Sequence, residues 1–145
     1  MTLPDFLDSD ATLEALLAGF ENGTWPKEQW THAAHVTLGT CYILDGEGAL
    51  DRLRSGIPQY NVSQGGQNTE DSGYHETLTC FWHDVIREYI GTLPAGLDRL
   101  TITRAVVTEF APKRDIFREY YDFDVVKSRE ARATWIPPNA MRELR

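Results

Sequence analysis

The segment Trp30-Thr31-His32-Ala33-Ala34-His35 opens a predicted helix that runs to about Leu44. Nearly every side of this helix is apolar, and a helix without a polar face belongs inside a helical bundle. Two of the four histidines of the chain lie in its first turn and a half. Because residues three positions apart lie on neighbouring parts of one helix face, we expect His32 and His35 to face a common cleft.

The rest of the chain predicts an all-α fold, a compact irregular bundle of about five to seven helices in a single domain over residues 1–145. The segment between the third and fourth helices, Ser55–Ser72, contains proline, several glycines and amide side chains. We expect it to be an irregular loop that forms a lid or a pocket wall. Besides the opening helix, the apolar spacing predicts helices at 11–21, 49–54, 73–90, 116–121 and 128–134. A further helix is expected at 97–110, with a strand as the alternative because threonine, isoleucine and valine favour strands.

Composition narrows the classes of partner. The net charge of −8 argues against binding to nucleic acid or to anionic lipid. No apolar run approaches the roughly 18 residues of a membrane span, and the start of the chain lacks the pattern of a signal peptide. Cys41 and Cys80 lie within predicted helices and are expected to be buried thiols in a reducing compartment. These features predict a soluble, cytoplasmic protein with no nucleic-acid partner and no membrane association.

The histidines are the strongest candidates for chemistry. His75 lies at the start of another predicted helix, on the same face as its apolar residues. Together with His32 and His35 it would supply three imidazole ligands for a divalent metal of the zinc or iron type, with one open position for water. The alternative for each residue is a core histidine that is hydrogen-bonded to a carbonyl or a threonine.

Two neighbours of His75, Tyr74 and Glu76, are the candidate catalytic residues. Glu76 would act as a general base or would orient a ligand. Its alternative is an ion pair that faces solvent. The zincin motif is absent, because position 79 is a threonine and not a histidine.

The same residues also fit a pocket without metal, in which a histidine hydrogen-bonds a small organic ligand. In this interpretation, amides of the 55–72 loop supply further hydrogen bonds, and aromatic side chains form the walls. The expected amides are Asn61, Gln64 and Gln67, and the expected walls are Trp30, Tyr42 and Trp82.

Two resemblances accompany these patterns. The segments Trp30-Thr31-His32-x-x-His35, Gly73-Tyr74-His75-Glu76-Thr77 and Ala131-x-x-x-Trp135-x-x-Pro138 resemble a family of small helical bacterial proteins, over about residues 20–138. That resemblance implies a helical fold and draws attention to the same three histidines, but it carries no activity. His83-Asp84 resembles the central pair of the HD-type phosphohydrolases, which are helical and metal-dependent.

Three functions are therefore considered. The first is a hydrolase that acts on a small molecule through a metal-bound water. The second is a small-molecule-binding protein without metal or catalysis. The third is a structural or dimerisation module, with a homodimer as its assembly, in which the histidines only support the core.

Overall fold

All regular secondary structure over residues 2–140, the part of the chain that the structure, a computed structural model, describes, is helical. The predicted all-α bundle is confirmed, although the ends of the predicted domain, 1 and 141–145, lie outside these residues. The described α-helices are α1 (Asp10–Asn22), α2 (His32–Leu44), α3 (Ala49–Ser63), α4 (Glu76–Gly91), α5 (Arg99–Phe110) and α6 (Arg129–Ala133). Short 3-10 turns cover Asp5–Leu7, Lys27–Gln29, Ala111–Lys113 and Ile116–Glu119.

Helix α2 is the centre of the bundle. Its N-cap is Thr31, whose hydroxyl oxygen accepts a hydrogen bond from the backbone N–H of Ala34 at 3.2 Å. The residues from Val36 to Tyr42 are all buried, as expected for a helix without a polar face. This helix packs mainly on α5 and α4, so it positions the two histidines of its first turns against both of them.

Helix α3 corrects the prediction for residues 55–72. The helix was expected to end near residue 54, but it continues through Pro58 to Ser63. Gly56 indicated a loop, yet here it allows close packing, since a Cβ atom at this position would lie 2.8 Å from a ring carbon of Phe20. Burial of Tyr60 on the same cluster extends the helix past the proline. The irregular segment that remains is 64–75, between α3 and α4.

Helix α4 begins at Glu76, three residues later than expected. His75 is its N-cap, because the ring nitrogen Nδ1 accepts a hydrogen bond from the backbone N–H of Leu78 at 3.2 Å. Gly73 adopts a φ of 81°, a left-handed conformation that a helix cannot include. The chain therefore turns sharply before His75, and this turn directs the imidazole into the protein.

The C-terminal part is anchored to α4. The hydroxyl of Thr77 donates to the carbonyl oxygen of Thr134 at 2.7 Å and accepts from the backbone N–H of Ile136 at 3.0 Å. The predicted cap of the last helix is confirmed, since Ser128 accepts from the backbone N–H of Ala131. These two bonds hold the segment 134–136 against the first turn of α4.

The structure also bears on the predictions about the two cysteines and about membrane-spanning helices. Cys41 and Cys80 are both buried and free, as expected. Burial raises the pKa of the Cys41 thiol to about 11 and that of the Cys80 thiol to about 12. None of the helices described over residues 2–140 has the length and apolar character needed to cross a membrane.

Candidate functional site

One large cleft collects most of the residues that the sequence singled out. It has a volume of about 1000 Å³ and lies between α2, α3 and α4, with the segments 64–75 and 114–118 at its edges. All four histidines line it. The other predicted site residues on its wall are Trp30, Asn61, Gln64, Gln67, Tyr74 and Trp82, while the charged side chains of Lys27, Arg114, Asp115 and Arg118 were not predicted.

His75 is the most buried of the four histidines, with 8% of its surface exposed. Its Nε2 lies 2.8 Å from the carbonyl oxygen of Val125. Since a carbonyl oxygen can only accept, Nε2 carries the proton and donates it, while Nδ1 accepts from Leu78. Both nitrogens are therefore used by the main chain, which is the alternative expected for a core histidine.

His32 is also held by a main-chain carbonyl. Its Nε2 donates to the carbonyl oxygen of Phe110 at 3.0 Å, at the end of α5. The ring packs edge-on against Trp82 with 4.8 Å between the ring centroids. The second nitrogen, Nδ1, has no hydrogen-bond partner within the described residues.

His35 is the histidine most open to the cleft. Its Nδ1 donates to the carbonyl oxygen of Thr31 at 2.8 Å, and its ring lies on Trp30 with 3.9 Å between the ring centroids. The residue is exposed to the cleft, but the walls of the cleft remove part of the water that would otherwise solvate its ring. Its Nε2 therefore offers a lone pair to whatever enters.

The environment keeps these imidazoles neutral. Burial in the cleft wall lowers the pKa of His35 to about 4, and it also lowers the pKa of His32 and of His75. The positive charge of Arg114 acts in the same direction on His32 and His35. At neutral pH, His32 and His35 are hydrogen-bond acceptors on their unused nitrogens.

The fourth histidine, His83, was expected on a polar stripe away from His75, but it lines the same cleft. Its Nδ1 donates to a carboxylate oxygen of Asp84 at 2.9 Å. Only 11% of its side chain is exposed. The sequence indicated this residue only through the His-Asp dipeptide.

The free nitrogen atoms of the histidines decide how well the cleft fits the predicted metal site. No group of three or more His, Cys, Asp or Glu side chains among residues 2–140 is arranged to hold a metal ion. In the conformation described, His75 has no free nitrogen. His32 and His35 keep one nitrogen each, so the three-histidine set stays a prediction that would require His75 to exchange its partners.

Glu76 does not line the cleft and is fully engaged elsewhere. One carboxylate oxygen accepts from the Tyr74 hydroxyl at 2.6 Å, and the other accepts from Arg54 at 2.7 Å and from the Cys80 thiol at 3.3 Å. Burial alone would raise the pKa of Glu76, but these hydrogen bonds lower it. The geometry favours a role for Glu76 in joining α3 to α4, and it leaves no oxygen free to act as a base.

Tyr42 lies in a second, smaller cavity of about 410 Å³ and not in the histidine cleft. Its hydroxyl donates to Glu21 at 2.7 Å, and the Arg52 guanidinium lies 3.7 Å above its ring. Glu21 thus bonds a tyrosine and an arginine, as Glu76 does, but the side chain of Glu21 is more exposed.

The sequence did not predict that charged residues would line the cleft. Arg114 and Asp115 follow the 3-10 turn Ala111–Lys113, and Lys27 lies in the turn before Trp30. Short turns of this kind carry no periodic signal. The bond between His32 and Phe110 brings the turn after α5 to the cleft, and nothing in the spacing of the sequence indicates that bond.

We predict that His35 titrates near pH 4. Its pKa in the folded protein lies below the ordinary value of 6.5, so the unfolded chain binds the proton more tightly. The stability associated with neutral His35 is therefore complete above pH 6.5 and is lost as the pH falls toward 4. Ring-proton NMR across this range measures the midpoint directly, and a midpoint near 6.5 would contradict the account.

We also predict that Glu76→Gln lowers the free energy of unfolding by about 2 kcal/mol, because it weakens charge-assisted hydrogen bonds to a largely buried carboxylate. The matched control is Glu21→Gln in the surface network, where 48% of the side chain is exposed against 15% for Glu76. The control should cost less than about 1 kcal/mol. Urea denaturation measures both, and equal costs would argue against the joining role.

Comparisons with known proteins do not identify a family or a function for this chain. No protein-family model matches the chain, and no curated protein or solved structure is significantly similar to it. The resemblance to a family of small helical bacterial proteins therefore stays an expectation, and the function has to be inferred from the cleft itself.

Proposed function

We propose that this protein binds a small organic molecule in the histidine cleft, without a metal. The observation that carries the proposal is the state of His35, a neutral imidazole whose Nε2 is left unused on the wall of a cleft of about 1000 Å³. Ligand pockets have volumes of roughly 300–1000 Å³ and combine apolar walls with a few fixed polar groups. The cleft has the size and the composition of such a pocket.

The aromatic wall is rigid. Trp30 packs on Phe20 with 5.1 Å between ring centroids, on Tyr60 with 5.0 Å and on His35 with 3.9 Å. A preorganised surface of this kind costs little conformational entropy when a ligand binds. It is suited to a flat molecule that presents an N–H or O–H group to the imidazole.

Binding is favoured over turnover because the candidate catalytic groups are occupied. The hydroxyl of Tyr74 donates a hydrogen bond to Glu76. Burial raises the pKa of this hydroxyl, and the hydrogen bond to Glu76 raises it further. The raised pKa of both cysteines opposes their use as nucleophiles. The remaining polar groups of the cleft can orient a ligand by hydrogen bonding.

The metal-dependent hydrolase is the second candidate. The observation that favours it is that His32 and His35 each keep one nitrogen without a partner on the same cleft wall. These two residues would be ligands, and bound metal would supply an activated water. The proposal without metal requires fewer changes, since it leaves the bonds of His75 intact.

Screening a library of flat organic fragments by thermal shift tests the proposal. We expect fragments that raise the melting temperature in the presence of a chelator. His35→Phe keeps a ring on Trp30 but removes both nitrogens, and it should weaken these fragments about tenfold in calorimetric titration, the loss of one hydrogen bond.

Tyr42→Phe is the matched control, because it removes one polar atom from a ring outside the cleft. The fragments should bind this variant as they bind the unaltered protein. A library without binders, or binders that respond to Tyr42→Phe and not to His35→Phe, would overturn the proposal. Binding or hydrolysis that appears only with added zinc or iron would support the second candidate.

A further inference from the structure

The charge of the cleft is opposite to the charge of the chain. The protein has 14 basic and 22 acidic residues, yet three basic side chains and one acidic side chain line the cleft. These are Lys27, Arg114, Arg118 and Asp115. A concave wall whose side chains carry a net positive charge raises the local concentration of anions, so the lining of the cleft favours anionic ligands although the net charge of the chain is negative.

Arg114 is the least compensated of these groups. Within residues 2–140 nearly every arginine forms an ion pair or a hydrogen bond to a carbonyl, and the exceptions are Arg114 and Arg87. Arg87 is exposed on α4 and does not line the cleft. The arginines with partners are Arg52, Arg54, Arg99, Arg104, Arg118, Arg129 and Arg132.

The other charges of the cleft do not cancel Arg114. Arg118 is paired, since its guanidinium lies 3.8 Å from Asp124 and packs on the ring of Phe117. Asp115 makes no ion pair with its neighbour Arg114 within the described residues. Lys27 makes no ion pair within the described residues either, so two unpaired cations and one unpaired carboxylate line the cleft.

The fold places the backbone that carries Arg114 at the edge of the cleft. It follows the 3-10 turn Ala111–Lys113, and the bond from His32 to the carbonyl of Phe110 ties the start of that turn to α2. Its charge lowers the pKa of both His32 and His35, so it acts on the part of the cleft where those imidazoles lie. An anionic group beside Arg114 would therefore leave the rest of a ligand next to the Trp30 wall.

We propose that the cleft takes an organic anion with a flat apolar body, whose carboxylate or phosphate monoester is held by Arg114 while the body lies against the wall that His35 and Trp30 form together. This inference rests on the proposed binding function and specifies its ligand. A guanidinium presents N–H donors in a planar fork that matches the oxygens of both anionic groups. In this arrangement Lys27 adds to the field, and His35 accepts a hydrogen bond from the body.

Four naphthalene derivatives of similar size test the inference by amide NMR titration. They are naphthoate, naphthyl phosphate, the uncharged naphthamide and the cationic naphthylmethylamine. We expect at least one of the two anions to bind about tenfold tighter than naphthamide, which corresponds to one charge-assisted hydrogen bond. The tighter anion identifies whether the natural ligand carries a carboxylate or a phosphate.

The variants separate Arg114 from general charge. Arg114→Gln should weaken the preferred anion about tenfold and leave naphthamide unchanged. Arg87→Gln removes the other uncompensated arginine, outside the cleft, and should change neither affinity. Neither arginine has a partner within the described residues, so both variants are expected to fold.

The outcomes are distinguishable. Equal affinities for anion and amide, tightest binding of the amine, or equal effects of the two arginine variants would overturn the anion inference while leaving a binding cleft. If no naphthalene probe binds, the inference fails. If the fragment library also yields no binder, the proposed function fails with it.

Discussion

Main-chain carbonyl oxygens hold three of the four imidazoles, and both the fold and the cleft depend on these hydrogen bonds. The bond between His75 and Val125 joins the start of α4 to the segment before α6, across 50 residues of sequence. The bond between His32 and Phe110 joins the start of α2 to the end of α5, across 78 residues. These bonds assemble the walls of the cleft from distant parts of the chain.

The same bonds determine what the cleft can do. A carbonyl oxygen only accepts, so each bond places the ring proton on a defined nitrogen and leaves the other nitrogen as an acceptor. The second nitrogen of His75, Nδ1, accepts the hydrogen bond that caps α4, whereas the second nitrogen of His35, Nε2, has no partner among the described residues. One type of side chain therefore serves as core support at one position and as a recognition group at another. Burial makes this distinction stable, because it keeps the rings neutral.

Sequence patterns predicted the helices wherever periodicity and capping agreed. The segment 97–110 contains threonines and valines that favour strands, yet the cap at Asp98 and the buried face make it a helix, as expected. Helix α3 was predicted too short because Gly56 and Pro58 resemble loop residues, and the contact of Gly56 with Phe20 is long-range. Within the cleft, the histidines and tryptophans were predictable as residues, but their proton positions were not. The proton positions depend on the backbone carbonyls of Phe110 and Val125, and a backbone carbonyl carries no signal in the sequence because every residue has one. The contact between His32 and Phe110 also brings Arg114 to the cleft, so the place of Arg114 was equally unpredictable.

The central claim is that main-chain carbonyls fix the protonation of the cleft histidines and leave the Nε2 of His35 as an open acceptor. Long-range proton–nitrogen NMR correlations within the rings, recorded at neutral pH, report the tautomer of each histidine. The account predicts neutral rings, with the proton on Nε2 in His32 and His75 and on Nδ1 in His35. A proton on Nε2 of His35, or a His75 ring whose Nε2 lacks the proton, would contradict it.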